Sequence, residues 1–166
     1  MRKQKGFSLI ELLIVVAIIL IIAAIAIPNL LRARIAANES SAVGSTRTVN
    51  TAEVAYNSAY PTVGFAVTLA SLSGTCTGGT TPSSTSACLI DTVLGQDPAS
   101  KSGYQFSLDN GGSTSTPQGS YSIDGAPITL NQTGVRYFCS AGDGVVRYGA
   151  TTFSGASCQS SGTPLQ

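Results

Sequence analysis

The sequence predicts an α+β fold, a long N-terminal helix packed against a small antiparallel sheet. Three observations predict it. An apolar run fills positions 7–27, where only Ser8 and Glu11 are polar. From residue 30 to residue 60 a stretch without proline carries a seven-residue apolar repeat. Beyond it, short alternating segments are separated by Gly, Asn and Pro clusters, the pattern of an antiparallel meander.

The apolar run has 21 positions, which as a helix rising 1.5 Å per residue is about 31 Å, the thickness of a bilayer's hydrocarbon core. Arg2, Lys3 and Lys5 lie ahead of it and Arg32 and Arg34 behind it. Three charges against two orient the start toward the cytoplasm, with one span and the polar part outside. Pro28 removes one backbone hydrogen bond and is expected to bend the helix there. After it, Ile35, Ala42, Val49 and Tyr56 recur every seven residues, flanked by Ala52 and Ala59. This narrow stripe extends the helix to 7–60, and Pro61 disfavours helix at the residue before it. Asn, Ser and Thr fill the other faces, so packing has to hold this half.

Residues 61–102 read as a loop region. Gly78-Gly79, Pro82 and a Ser/Thr run break it, and Val67, Leu69 and Leu72 fit a short helix or a strand equally. The sheet is expected within 103–150, with strands at 104–108, 120–123, 128–130, 135–139 and 145–148 and a tight turn at Asp143-Gly144. The tail, 151–166, is too small and polar to pack unaided.

Four cysteines, Cys76, Cys88, Cys139 and Cys158, lie in the polar part without C-x-x-C spacing, and the chain has no histidine. A zinc site is therefore not expected, and two disulfides in an oxidising compartment are. Three connectivities exist; sequence neighbours, Cys76–Cys88 and Cys139–Cys158, are favoured, the second pinning the tail. No cofactor is expected. Without histidine no Ser-His-Asp or Cys-His pairing can form, and no P-loop occurs, so the chain is not read as an enzyme. Asp91, Asp97, Asp109, Asp124 and Asp143 are scattered without EF-hand spacing and read as turn residues rather than a calcium site. The formal charge of +1 falls to −2 without the three leading basic residues, leaving six against eight acidic ones. No basic face for nucleic acid is expected.

A carboxylate within a lipid span costs about 2.5–3.5 kcal/mol or more, so Glu11 needs a partner in its working state. The string around it, Lys5-Gly6-Phe7-Ser8-Leu9-Ile10-Glu11, followed by the apolar run, resembles the type IV pilin and pseudopilin family. The resemblance is close from about residue 3 to residue 36. It implies that residues 1–6 are a leader, that a membrane prepilin peptidase cuts between Gly6 and Phe7, and that the new Phe7 amine is methylated. That cationic amine is the partner Glu11 lacks. If copies stack with an axial offset, Glu11 of one is expected to meet the Phe7 amine of the next, neutralising both charges and setting the register; the alternative is a Glu11 near the interface that snorkels to water.

Many members of that family carry a glycine eight residues before the proline; here the position is Leu20. Residues Gly134-Val135-Arg136-Tyr137-Phe138 and Asp143-Gly144-Val145-Val146-Arg147 resemble the last hairpin of some members, with Phe138 and Val146 toward the core. The resemblance implies a subunit of a homo-oligomeric filament, held in the inner membrane before assembly and extracellular after it. Its partners would be the peptidase and the inner-membrane assembly machinery, and its roles adhesion, twitching motility or DNA uptake. The Ser/Thr/Gly-rich surface and the cysteines favour an exposed pilus over a periplasmic type II secretion pseudopilus, with a minor pilin as a further alternative. The remaining rival, a secreted protein with a signal peptide cut after Ala24-Ile25-Ala26, is disfavoured by Glu11 and the length of the run.

Overall fold

The computed structural model describes residues 7–74 and 81–165. The chain divides into a first unit ending at Arg34 and a second beginning at Ile35. Helix α1 (Leu9–Ala59) has 51 residues and contributes to both. Within the first unit it is the only regular element among the described residues.

In the second unit α1 buries one face. Ala42, Val49 and Tyr56 of the predicted stripe are fully buried, as is Ala52. Ile35 is half-buried and Ala59, the last helical residue, is exposed, so the stripe stops one turn short of the expected end. Between the apolar positions lie Glu39, Thr46 and Glu53, again seven apart, and they too are buried. The buried face therefore alternates apolar and polar side chains at intervals of three and four residues, the spacing of neighbours on a helix surface. The expectation that Asn, Ser and Thr fill the other faces therefore fails at Thr46.

The short segment left open at 67–72 is a helix, α2 (Leu69–Leu72), whose N-cap Thr68 accepts from Ser71 N. Six antiparallel strands follow in sequence order: β1 (Ala99–Lys101), β2 (Tyr104–Asp109), β3 (Ser122–Pro127), β4 (Tyr137–Ala141), β5 (Arg147–Gly149) and β6 (Thr163–Pro164). A further short helix, α3 (Ser157–Ser161), lies in the tail. The sheet thus extends beyond 103–150 on both sides. β1 joins β2 through Ser102-Gly103, both with positive φ (50° and 75°) and with Lys101 paired to Tyr104, a two-residue hairpin. The Ser102-Gly103 pair was the missed signal.

β2 falls where expected, but the next strands start later than predicted because their first residues are engaged elsewhere. The Val135 and Arg136 amides donate to Glu39 Oε1 (3.0 and 3.1 Å), and β4 begins at Tyr137. The Ser120 carbonyl accepts Gln118 Nε2 (3.0 Å), and β3 begins at Ser122. The Val145 carbonyl accepts Ser140 Oγ (3.1 Å), and β5 begins at Arg147. Residues 128–130 are not a strand: β3 ends at Pro127, and the chain turns with Asn131 at φ 63°. Gly144 N donates to Ala141 O (2.8 Å), so the turn expected at Asp143-Gly144 begins two residues earlier.

One face of the sheet carries Tyr104, Phe106, Leu108, Ile123 and Phe138 into a common core with the α1 stripe and with Leu69 and Leu72 of α2. Val146 is buried as well. At 25 cal/mol/Å², each such large side chain contributes about 1.5–3 kcal/mol by leaving water. Gly134 is required where the Tyr104 ring passes, since a Cβ there would overlap the phenol. The opposite face presents Ser107, Asp124, Cys139 and Arg147 in one cross-strand row.

Candidate assembly segment

Helix α1 starts one residue after Ser8, whose carbonyl accepts the Leu12 amide (3.2 Å). The Ser8-x-x-Glu11 spacing is that of a capping box, with serine at the cap and an acid at the third helical position. Glu11 also lies in the first turn, where unsatisfied amides and the helix dipole favour a negative charge. The serine three residues before Glu11 is the sequence signal for this second, local fitness.

Beyond this start, the apolar side chains have no cover within their own chain. Phe7 is 69% exposed, Leu9 78% and Ile27 66%, and the large apolar residues between them are similarly open. Leu, Ile, Val and Ala face every direction, so no rotation of the helix could hide them against one flat surface. A helix of this length and composition is long and apolar enough to cross a membrane. Pro28 lies inside α1, which continues through it. Proline has no amide hydrogen, so the Ala24 carbonyl is deprived of its helical donor at that point. Gly6 lies outside the described residues, so the expected cleavage junction is described from Phe7 onward only.

In the second unit the Cys139–Cys158 disulfide is formed, with Cα atoms 5.8 Å apart, and ties α3 to β4. Cys88 is disulfide-bonded, and the expected Cys76–Cys88 pairing lies outside the described residues through Cys76. The five aspartates do not converge. Asp91 binds Lys101 Nζ (2.9 Å), which together with the Leu94 amide holds its carboxyl below the usual range. Asp143 is held low by Arg147 (2.6 Å). Asp109 accepts from the Gly111 and Gly155 amides. Among the described residues no group of three or more acidic or cysteine side chains is placed to hold a metal ion.

The chemistry is thus concentrated at the start of α1, an apolar rod with one acid. The family model for the prokaryotic N-terminal methylation motif matches residues 1–27. The type IV wide pilus major component PilA4 of Thermus thermophilus is 68% identical over 40 residues, which is 24% of this chain and 30% of that protein. In its N-terminal segment the chain is similar to type IV pilins. The match spans under a third of the pilin relative's length, and the polar second unit lies mostly outside it. No solved structure matches the chain. The pilin layout of a long N-terminal helix with a small antiparallel sheet is present throughout the second unit nonetheless.

Proposed function

We propose that this chain is a structural subunit of a type IV pilus, cut between Gly6 and Phe7, methylated on Phe7, and polymerised through α1. The observation that carries the reading is the uncovered apolar segment 7–27, which runs from Phe7 into the first half of α1 and bears Glu11 as its one acid. Such a surface is stable only in lipid or among like helices. It would reside in the inner membrane through the 7–27 segment first and in a filament afterwards. Glu11 would meet the Phe7 amine of a neighbouring copy, because burying both charges is tolerable only when they are paired. The chain is read as a building element and not as an enzyme. The name of the Thermus relative, a major component of a wide pilus, supports a fibre subunit over a secretion pseudopilin.

The test is the N-terminus and abundance of the protein in filaments sheared from cells. The expected result is an abundant chain beginning at methylated Phe7. A chain beginning at Met1 or Ile27, or one found only as a dispersed monomer, overturns the reading. Intact surface fibres with lost secretion in a deletion strain would reassign it to a pseudopilus.

A further inference from the structure

The face of the sheet opposite the core is covered by the tail. Three contacts hold it there: the Cys139–Cys158 disulfide, the Gly155 amide on Asp109 Oδ2 (3.0 Å), and the Phe153 ring over Gly149. A Cβ at Gly149 would come within 2.6 Å of that ring, so glycine permits the close cover. Between Thr152 and Phe153 above and β2, β3 and β4 below lies a cavity of about 120 Å³. Gln105, Ser107, Asp124 and Tyr137 line its floor and sides.

Asp124 is the one charged side chain in that lining. Its single hydrogen bond among the described residues is a long one from Ser122 Oγ (3.5 Å). The nearest basic group on this face, Arg147, stands two strands away, about 10 Å at ordinary strand spacing. Arg147 is already committed to Asp143. Asp109, also on this face, adds a second negative charge, itself bonded to amides. The cavity lining is therefore negative and polar at Asp124, and it includes Tyr137 and Phe153.

We propose that this cavity is a binding site for a primary ammonium group, with Asp124 as its counter-charge and Tyr137 and Phe153 as its aromatic walls. A partly desolvated carboxylate without a cation gains most from a compact positive charge, and aromatic faces add attraction for the same sign. Consistent with an unmatched charge, burial first and the Asp109 charge second push the Asp124 carboxyl up to about 7, while the Ser122 hydroxyl opposes them weakly. Calcium is the poorer fit, because it requires six to eight oxygen ligands and this lining offers one carboxylate.

The test uses the full chain in detergent micelles, carbon-13 labelled at the aspartate carboxyls and titrated with n-butylammonium chloride against matched sodium chloride. The expected result is a saturable shift of the Asp124 resonance, with its titration midpoint lowered by about one pH unit, a tenfold coupling. The Thr152 and Phe153 amides should move with it. Asp124→Asn should abolish the saturable response, and Phe153→Leu, which keeps bulk without the ring, should weaken it severalfold. Nα-acetyl-lysine methylamide, run in parallel, separates a protein lysine from a free amine as the source; saturation by either supports the site. No saturable shift with either amine, a response that survives in a folded Asp124→Asn chain, or a shift with calcium chloride alone overturns it.

Discussion

Glu39 on α1 and Arg136 at the threshold of β4 lie 97 residues apart and bind each other through backbone and side chain together. The Arg136 guanidinium donates to Glu39 Oε2 (2.8 Å from Nε, with Nη2 at 2.7 Å), while the Val135 and Arg136 amides donate to Oε1. The guanidinium also lies over the rings of Phe138 and Tyr148, with its carbon 5.5 and 5.4 Å from their centroids. Glu39 is 6% exposed, so this is a buried anion satisfied by three groups of one segment. It clamps the helix to the sheet.

Glu39→Ala should therefore destabilise the second unit by roughly 3 kcal/mol, since it strands two amides and a partly buried cation. Burial pushes the Glu39 carboxyl up, but the two amides and the guanidinium outweigh it and hold it below the ordinary value. A lowered carboxylate contributes stability above its unfolded pKa and loses it as pH falls through the folded one. Denaturant melts between pH 5 and pH 2 should show the wild type losing this increment while Glu39→Ala does not.

Glu53 predicts the opposite slope. It is fully buried, accepts only the Ala66 amide (2.9 Å), and its other oxygen, Oε1, has no hydrogen-bond partner among the described residues. Burial drives its pKa to about 8 from 4.5, only partly offset by that amide. The folded state then holds a proton that the unfolded state releases, so stability falls as pH rises from about 4.5 to about 8 and levels off above. The whole fall is on the order of 5 kcal/mol. Glu53→Gln should remove the slope and be the more stable chain at pH 9; an unchanged slope in that variant would refute the assignment.

The Cys139–Cys158 bond closes a 19-residue separation, worth about 3 kcal/mol in the chain-entropy description. Cys158→Ser should lower the denaturation midpoint accordingly. It should also speed hydrogen exchange at the Gly155 amide, which the tail presents to Asp109, before it affects the core strands.

Under the proposed function, Glu11→Ala should leave membrane insertion intact and reduce filament yield severely, because the apolar span is unchanged while the charge partner of Phe7 is gone. Fractionation and quantified shearing measure the two separately. Normal fibre yield would exclude the register role.

The helix, the α+β class and β2 were legible because each rests on a strong periodicity or a long apolar run. The later strand starts were not, because the Val135 and Arg136 amides go to Glu39, far away in the chain, and the Ser120 carbonyl is taken by the side chain of its near neighbour Gln118. Burial of Glu39, Thr46 and Glu53 was hidden for a related reason. Polarity marks a residue as exposed unless its partner is known, and the partners of Glu39 come from the far end of the chain. β6 has two residues and leaves no pattern to read.

Strand order in the sheet is identical to chain order. Every new strand can therefore add to the one made just before it, with no earlier gap to thread, and the last pairing waits for Thr163 and Pro164. A chain threaded out of a membrane helix-first would complete its sheet by simple accretion, and a truncation of only the final few residues would leave β5 as an open edge on an otherwise finished head.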